Sequence, residues 1–254
     1  MNVKFALVGG ERREPEPTLT GQCPGCGETV TAKCGTQRVW HWAHKGLRTC
    51  DPWWEPETEW HRRWKNLFPV SWQETVRRSE TTGERHIADV QTPHGLVIEF
   101  QHSTITPAER VSREHFYRDM IWVVDGTLAK KDRPRIDKGL PDWRWQPENK
   151  YTAKFLVENF LPSFWVKCDV PVLFDFDGLL VGPSTERQNH LICLLPNRYR
   201  EDQAVFFPMA RSTLVGIANN ETSIPDWREI CRDLDANRMQ VPTASNRLQV
   251  LYRR

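Results

Sequence analysis

Two sets of residues in this 254-residue chain have types and spacings that chemistry can use. The first lies in the stretch Arg85–Ser103, RHIADVQTPHGLVIEFQHS. It reads as two short strands joined by a turn at Thr92-Pro93-His94-Gly95. In the second strand Leu96, Ile98 and Phe100 alternate with Val97, Glu99, Gln101 and Ser103, which predicts a half-buried strand with its polar side chains on one face. Asp89 lies in the partner strand between apolar residues, where a carboxylate is otherwise costly to place. Two carboxylates on neighbouring strands offer hard oxygen ligands. Mg²⁺ takes one or two of these and completes its shell with waters and a substrate phosphate.

The second set is Cys23-Pro24-Gly25-Cys26-Gly27 with Cys34, His41, His44 and Cys50 downstream. Thiols two residues apart reach one metal ion, and the glycines allow the tight turn this needs. The preferred zinc ligands are Cys23, Cys26, His44 and Cys50. His41 is the first substitute for His44, and Cys34 is the alternative to Cys50. Four protein ligands leave no position for water, so the metal is expected to be structural. The alternative is a set of free thiols, with the histidines packed beside Trp40 and Trp42.

The elements that must position these groups follow from periodicity. Residues 3–8 read as a strand, followed by a polar, Pro-rich lead-in. Residues 56–68 read as a helix with Pro56 near its first turn and Trp60, Trp64, Leu67 and Phe68 as its buried stripe. Glu57, His61 and Lys65 fall at i, i+4 and i+8 along the border of that stripe. They either form an exposed polar edge or face a neighbouring sheet. Residues 70–77 are an expected strand carrying Glu74. Thr106 caps a helix running to about residue 120, in which Arg113 and Tyr117 share a face. Residues 121–124 are a buried strand. Helix, three strands, helix and strand, in that order, predict an α/β sandwich around a mixed sheet.

At these residues the chain resembles the nuclease domain of the competence protein CoiA-like family, within the PD-(D/E)xK restriction-like nucleases. The likeness is carried in order by Glu57-x-Glu59-x-His61-x-x-x-Lys65, by Arg85 ahead of Ala88-Asp89-Val90, by Ile98-Glu99-Phe100-Gln101-His102-Ser103, and by Arg113-x-x-x-Tyr117. It covers residues 20–125, and Trp40-His41-Trp42-Ala43-His44 is similar to a His-Phe-Ala-His segment ahead of that domain. The resemblance implies a restriction-endonuclease-like core with an N-terminal zinc-knuckle module, and hydrolysis of DNA phosphodiester bonds by an Mg²⁺- or Mn²⁺-dependent endonuclease or nickase. It implies Asp89 and Glu99 as metal ligands, Gln101 at the lysine place, and Glu57 and His61 as a further ligand or water-positioning pair. Arg85, Ser103, Arg113 and Tyr117 would hold phosphate or support the site. The departure is Gln101, since a neutral amide can hydrogen-bond but cannot supply an ammonium's charge. A non-cleaving nucleic-acid-binding protein, or an interaction subunit of a DNA-processing or phage-defence assembly, is the alternative.

Composition bounds the rest. A hydrophobic share of 39% and 12 Trp indicate sizeable cores. There is no run long enough for a membrane span and no signal-peptide pattern, and seven mostly clustered cysteines argue against a secreted disulfide framework. The expected location is the cytoplasm. A net charge of +2 does not by itself demand nucleic acid, so basic clusters such as Arg62-Arg63, Arg77-Arg78 and those between 130 and 138 matter more. The expected division is a zinc module at 1–54, a nuclease core at 55–140 and a β-rich C-terminal region at 141–254, reached through a Pro-rich connector at 126–149. That last region, a candidate surface for a second copy or a protein partner, carries no site motif. Asp175-Phe176-Asp177-Gly178 reads as a hairpin turn, Cys168, Cys193 and Cys231 as buried thiols, and 226–239 as a helix.

Overall fold

A computed structural model describes residues 2–45, 50–128, 152–155, 164–180, 187–200, 203–226, 228–230 and 232. The basic cluster at 130–138, Cys231, and most of the connector and of the expected 226–239 helix lie outside them. The N-terminal part is more regular than a knuckle with one strand. It contains β1 (Asn2–Val3), β2 (Ala6–Val8), β3 (Glu11–Arg13), β4 (Thr20–Gln22), β5 (Thr29–Lys33) and β6 (His41–His44). These form a six-stranded sheet in the order β1-β6-β5-β4-β2-β3, antiparallel throughout. Val3, Ala6, Cys23, Val30 and Trp42 make its small core.

The chain then runs α1 (Glu59–Lys65), β7 (Gln73–Arg78), β8 (Arg85–Gln91), β9 (Val97–Gln101), α2 (Pro107–Tyr117) and β10 (Met120–Asp125), the order expected from periodicity. After it come β11 (Thr152–Phe155), β12 (Val172–Asp175), β13 (Leu179–Leu180), β14 (Arg187–Gln188), β15 (His190–Arg200), β16 (Gln203–Ala210) and α3 (Arg211–Ala218). A mixed eight-stranded sheet has the order β11-β16-β15-β12-β10-β9-β8-β7. Only the β9–β10 and β10–β12 pairs are parallel, and β13 and β14 pair separately. Strands from 152–210 therefore continue the same sheet as the Asp89–Glu99 hairpin.

Three local expectations change. α1 starts at Glu59, capped by Thr58, because Thr58 and His61 close a reciprocal capping box; Pro56 lies ahead of it. β9 is buried at all five residues and is not half-buried. It is a central strand beside a parallel neighbour, and parallel strands are covered on both faces. Ile98 and Phe100 pack with Trp60, Trp64 and α3 on one side, while Val97 joins Tyr117, Trp122 and Val172 on the other. The 175–178 stretch turns through left-handed Asp177 and Gly178, but β13 pairs with β14, so it does not close a hairpin with β12. Cys168 and Cys193 are buried thiols, as expected. The Thr106 cap of α2 is present, accepting from the Glu109 N–H at 3.1 Å. Among the described residues no helix is long and apolar enough to cross a membrane.

Candidate functional site

The soft-donor cluster is the simpler of two candidate sites. The β4–β5 turn carries Cys23 and Cys26, β6 ends on His44, and Cys50 follows. Their ligand atoms all lie within 4.8 Å of one another. Cys23 Sγ is 3.7 Å from Cys50 Sγ, and Cys26 Sγ is 3.2 Å from His44 Nε2. A tetrahedron built on Zn–S bonds of about 2.3 Å has sulfur–sulfur edges of about 3.8 Å, so the donors fit one zinc ion. His41, with Nδ1 on the Val39 carbonyl at 2.8 Å, and Cys34 are not among the four. The hydrogen bond from Cys50 holds the Cys23 thiol down to about 5, while the same contact and burial push Cys50 up. Crowded thiols sharing one charge in this way are what a divalent soft cation relieves.

The hard-donor site is assembled from six segments: the loop after Cys50, α1, β7, β8, β9 and α2. The β8–β9 ladder registers Gln91 with Val97 and Val90 with Ile98, then stops. Past that point the two acids replace ladder bonds: the Asp89 N–H donates to Glu99 Oε1 at 3.1 Å and the Phe100 N–H to Asp89 Oδ2 at 2.9 Å. The remaining oxygens meet protein cations. Glu99 Oε2 accepts from Arg113 Nη1 of α2 at 3.1 Å, and Asp89 Oδ1 lies 3.5 Å from Lys65 Nζ of α1. Burial, and then the Asp89 charge, raise the Glu99 carboxyl to about 8 despite Arg113.

Lys65 is 1% exposed and binds Glu57 at 2.7 Å and Glu74 at 3.0 Å. Burial opposes its charge, but Glu74, Glu57 and Asp89 together hold it protonated. Glu74 sits in the left-handed region (φ 47°) at the second residue of β7, and its carboxylate also receives the Lys4 and Phe5 N–H groups. It therefore docks the N-terminal sheet onto the core, and its strained backbone is held there by those bonds.

His61 presents Nε2 to Glu55 Oε1 (2.8 Å) and to the Phe100 carbonyl (3.1 Å), with Nδ1 on Thr58 Oγ1. Burial disfavours its charge; the Glu55 hydrogen bond and the Asp89 charge outweigh that and raise its pKa. Glu55 is correspondingly lowered against its own burial. It receives the His102 N–H at 3.2 Å and Gln101 Nε2 at 3.3 Å, while Gln101 also donates to Ser103. Gln101 Oε1 is buried without a hydrogen-bond partner. A cavity of about 60 Å³ is lined by Asp89, Glu99, Glu57, His61, Lys65 and Arg113, among others.

The structure thus gathers Glu57, His61, Asp89 and Glu99 around one cavity, with Gln101 tied to it through Glu55. Arg113 and Tyr117 are buried beside Glu99, with Arg113 also bound to the Trp53 carbonyl and Glu109. These two residues brace the site from inside. Arg85 and Ser103 are exposed, and Arg85 lies at the far end of β8. Two contributors lie outside the predicted set, Asp51 and Glu55. Asp51 accepts from the Ile87 N–H at 2.9 Å and His86 Nδ1 at 2.8 Å. Both lie in the loop after Cys50, where no periodicity marks a residue. The one sequence signal for them is the density of acids between 51 and 59.

Mg²⁺ is tested by the same geometry. Asp89 and Glu99 line the cavity together and would supply the one or two carboxylates that Mg²⁺ needs. Among the described residues no third carboxylate closes on them as the thiols close on one another. The residues fit an ion completed by water and substrate.

The chain is similar to known competence proteins. Residues 20–52 match the family described as competence protein CoiA, N-terminal domain. Over 166 residues the chain is 32% identical to competence protein CoiA of Bacillus subtilis (strain 168), a match covering 60% of this chain and 44% of that relative. The chain thus spans less than half the length of the curated relative it matches. No solved structure matches significantly. Over these residues the chain is similar to the CoiA-like competence proteins.

Proposed function

We propose that this protein is a metal-dependent DNA endonuclease or nickase of the PD-(D/E)xK type. The observation that carries the reading is the break in the β8–β9 ladder, where Asp89 and Glu99 converge on a cavity backed by Lys65 and His61. Asp89 and Glu99 would hold Mg²⁺ or Mn²⁺. A bound ion of this kind supplies charge neutralisation at phosphoryl oxygens and an acidified water. The chain's own residues do the rest. Lys65, 3.5 Å from Asp89, provides the positive charge that Gln101 cannot, from a helix instead of the next strand position. The His61–Glu55 pair fixes Gln101 and the end of β9, so the polar wall is preorganised. Zinc at Cys23, Cys26, His44 and Cys50 would brace this wall, because Asp51 and Glu55 follow directly on Cys50.

A second reading, a non-cleaving nucleic-acid-binding protein, is favoured by one observation: each acid already has a protein cation, Arg113 on Glu99 and Lys65 on Asp89. One experiment separates the two. Supercoiled plasmid is incubated with the parent and with Asp89→Asn, with and without Mg²⁺. The nuclease reading expects nicking by the parent only, and only with the ion. Nicking at parental rate by Asp89→Asn would sink it, and no nicking by the parent would leave the binding reading in its place.

A further inference from the structure

A larger cleft, of about 870 Å³, opens on the opposite side of α1 from the carboxylate cavity. α1 serves both: His61 and Lys65 face the cavity, while Trp60, Arg63 and Trp64 line the cleft, joined by Leu67 just past the helix end. Its floor is the carboxyl end of the parallel strands β9, β10 and β12, the edge where open α/β sheets take ligands. Its far wall is α3, through Arg211, Ser212 and Val215.

The floor is built and internally satisfied. Asp175 Oδ2 accepts the indole N–H groups of Trp60 (3.2 Å) and Trp64 (3.1 Å), and its Oδ1 accepts from the Asp177 N–H (3.0 Å) and Arg211 (2.5 Å). One carboxylate thereby ties α1, β12 and α3 together, so the walls are fixed before any ligand arrives. In register beside it, Asp125 receives the Thr127 N–H (2.8 Å) and hydroxyl (2.6 Å) on one oxygen and His102 Nδ1 (2.6 Å) on the other. A carboxylate can only accept, so His102 Nδ1 carries the proton, and in the neutral ring Nε2 is a bare acceptor. The His102 side chain, stacked on Trp60, is 30% exposed. Arg63 is exposed at the rim with no ion pair or hydrogen bond among the described residues. Leu67, 46% exposed, adds an apolar contact.

We propose that this cleft takes one unpaired nucleotide of the strand that the carboxylate cavity processes; this rests on the nucleic-acid reading above. Arg63 meets its phosphate, His102 Nε2 accepts from an N–H on the base edge, and Leu67 and Val215 cover the ring and sugar. Size decides against a duplex. The cleft has the volume of a small-ligand site, about 300–1,000 Å³, whereas duplex DNA is read across an open surface of about 1,000–2,500 Å².

The test is binding, measured without divalent cation so that nothing is cut. A short labelled strand of DNA, the same strand in RNA, and each annealed to its complement are titrated with the full chain by fluorescence anisotropy. At least one single strand should bind about 10-fold more tightly than its own duplex, and the tighter of the two identifies the sugar. Arg63→Ala, at an exposed unpaired position, should weaken that strand and flatten its salt dependence by about 0.7 in log–log slope, the share of a single phosphate. His102→Ala should weaken it several-fold while leaving duplex binding and the parent's Mg²⁺-induced rise in melting temperature unchanged. Duplexes that bind as tightly as single strands, or Arg63→Ala and His102→Ala proteins that bind like the parent, overturn the proposal. Plasmid nicking by the parent, run alongside with Mg²⁺, reports separately on the nuclease reading.

Discussion

The zinc cluster and the carboxylate cavity solve opposite problems a few residues apart. Four soft donors converge at Cys23, Cys26, His44 and Cys50 with no protein cation among them, so the cluster is incomplete without an ion. Around the cavity, Glu55, Glu57, Glu74, Asp89 and Glu99 are interleaved with Lys65, Arg113 and His61, so that each acid meets a basic side chain of the protein. Zinc in the first arrangement would contribute to folding directly. An ion in the second would have to compete with built-in cations. The two are joined by one segment, from Cys50 through Asp51, Trp53 and Glu55 to Glu57.

The largest effect should come from breaking the soft cluster. Cys23→Ser, or removal of zinc by a chelator, should lower the melting temperature by more than about 10 °C, since the binding free energy of structural zinc is folding free energy. Amide exchange in 51–57 should quicken at the same time, because Cys50 anchors that segment. Parent protein purified without added metal should contain zinc by elemental analysis. A chain without it, and with Cys23 freely titrated by a thiol reagent, would remove this half of the comparison.

Next in size is the cation inside the cavity. Lys65→Met takes the cation from Glu74 and Asp89 and leaves Glu57 with Arg62 alone, and should cost about 3–5 kcal/mol in denaturant unfolding at neutral pH. A neutral substitution would mean that the cavity does not depend on its own cations.

Smaller in stability but sharper in function is the metal response. Mg²⁺ or Mn²⁺ should raise the parent's melting temperature by mass action. Asp89→Asn and Glu99→Gln should abolish that rise and cut nicking at least ~100-fold, with little loss of stability in metal-free buffer. For Glu99→Gln the amide mimics the protonated acid that burial already favours. Persistence of the Mg²⁺ effect in both variants would place the ion elsewhere.

The smallest effect is a pH window. His61 is raised above its usual value, so its contribution is complete below about 6.5 and fades as pH climbs through its folded pKa. Glu55 is lowered, so its contribution is complete above about 4.5 and fades as pH falls through its folded pKa. The pair should therefore stabilise most between those limits. Glu55→Gln should flatten the melting temperature across this range, by a few degrees at most. A parent-like profile in that variant would show that the pair does not act as a unit.

Sequence alone determined what local spacing can carry. Cys23-x-x-Cys26 places two thiols on one turn, and the preferred four ligands are the four that meet. Thr106-Pro107 caps and opens α2 as capping chemistry requires. The helix and strand order of residues 59–125 followed from hydrophobic periodicity, and the order of Asp89, Glu99 and Gln101 carried the family likeness. Contacts between distant segments carry no such period. Burial of β9 on both faces came from its parallel partner β10 and from α1 and α3, and α3 has no side-chain cap that marks its start in the sequence. Glu55 reaches His61, Gln101 and His102 only because the loop after Cys50 folds back over the end of β9. Asp175 reads as a turn residue, yet tertiary structure makes it the anchor of two tryptophans and Arg211. A buried carboxylate must find its donors wherever the packed chain brings them, and that search is settled in three dimensions.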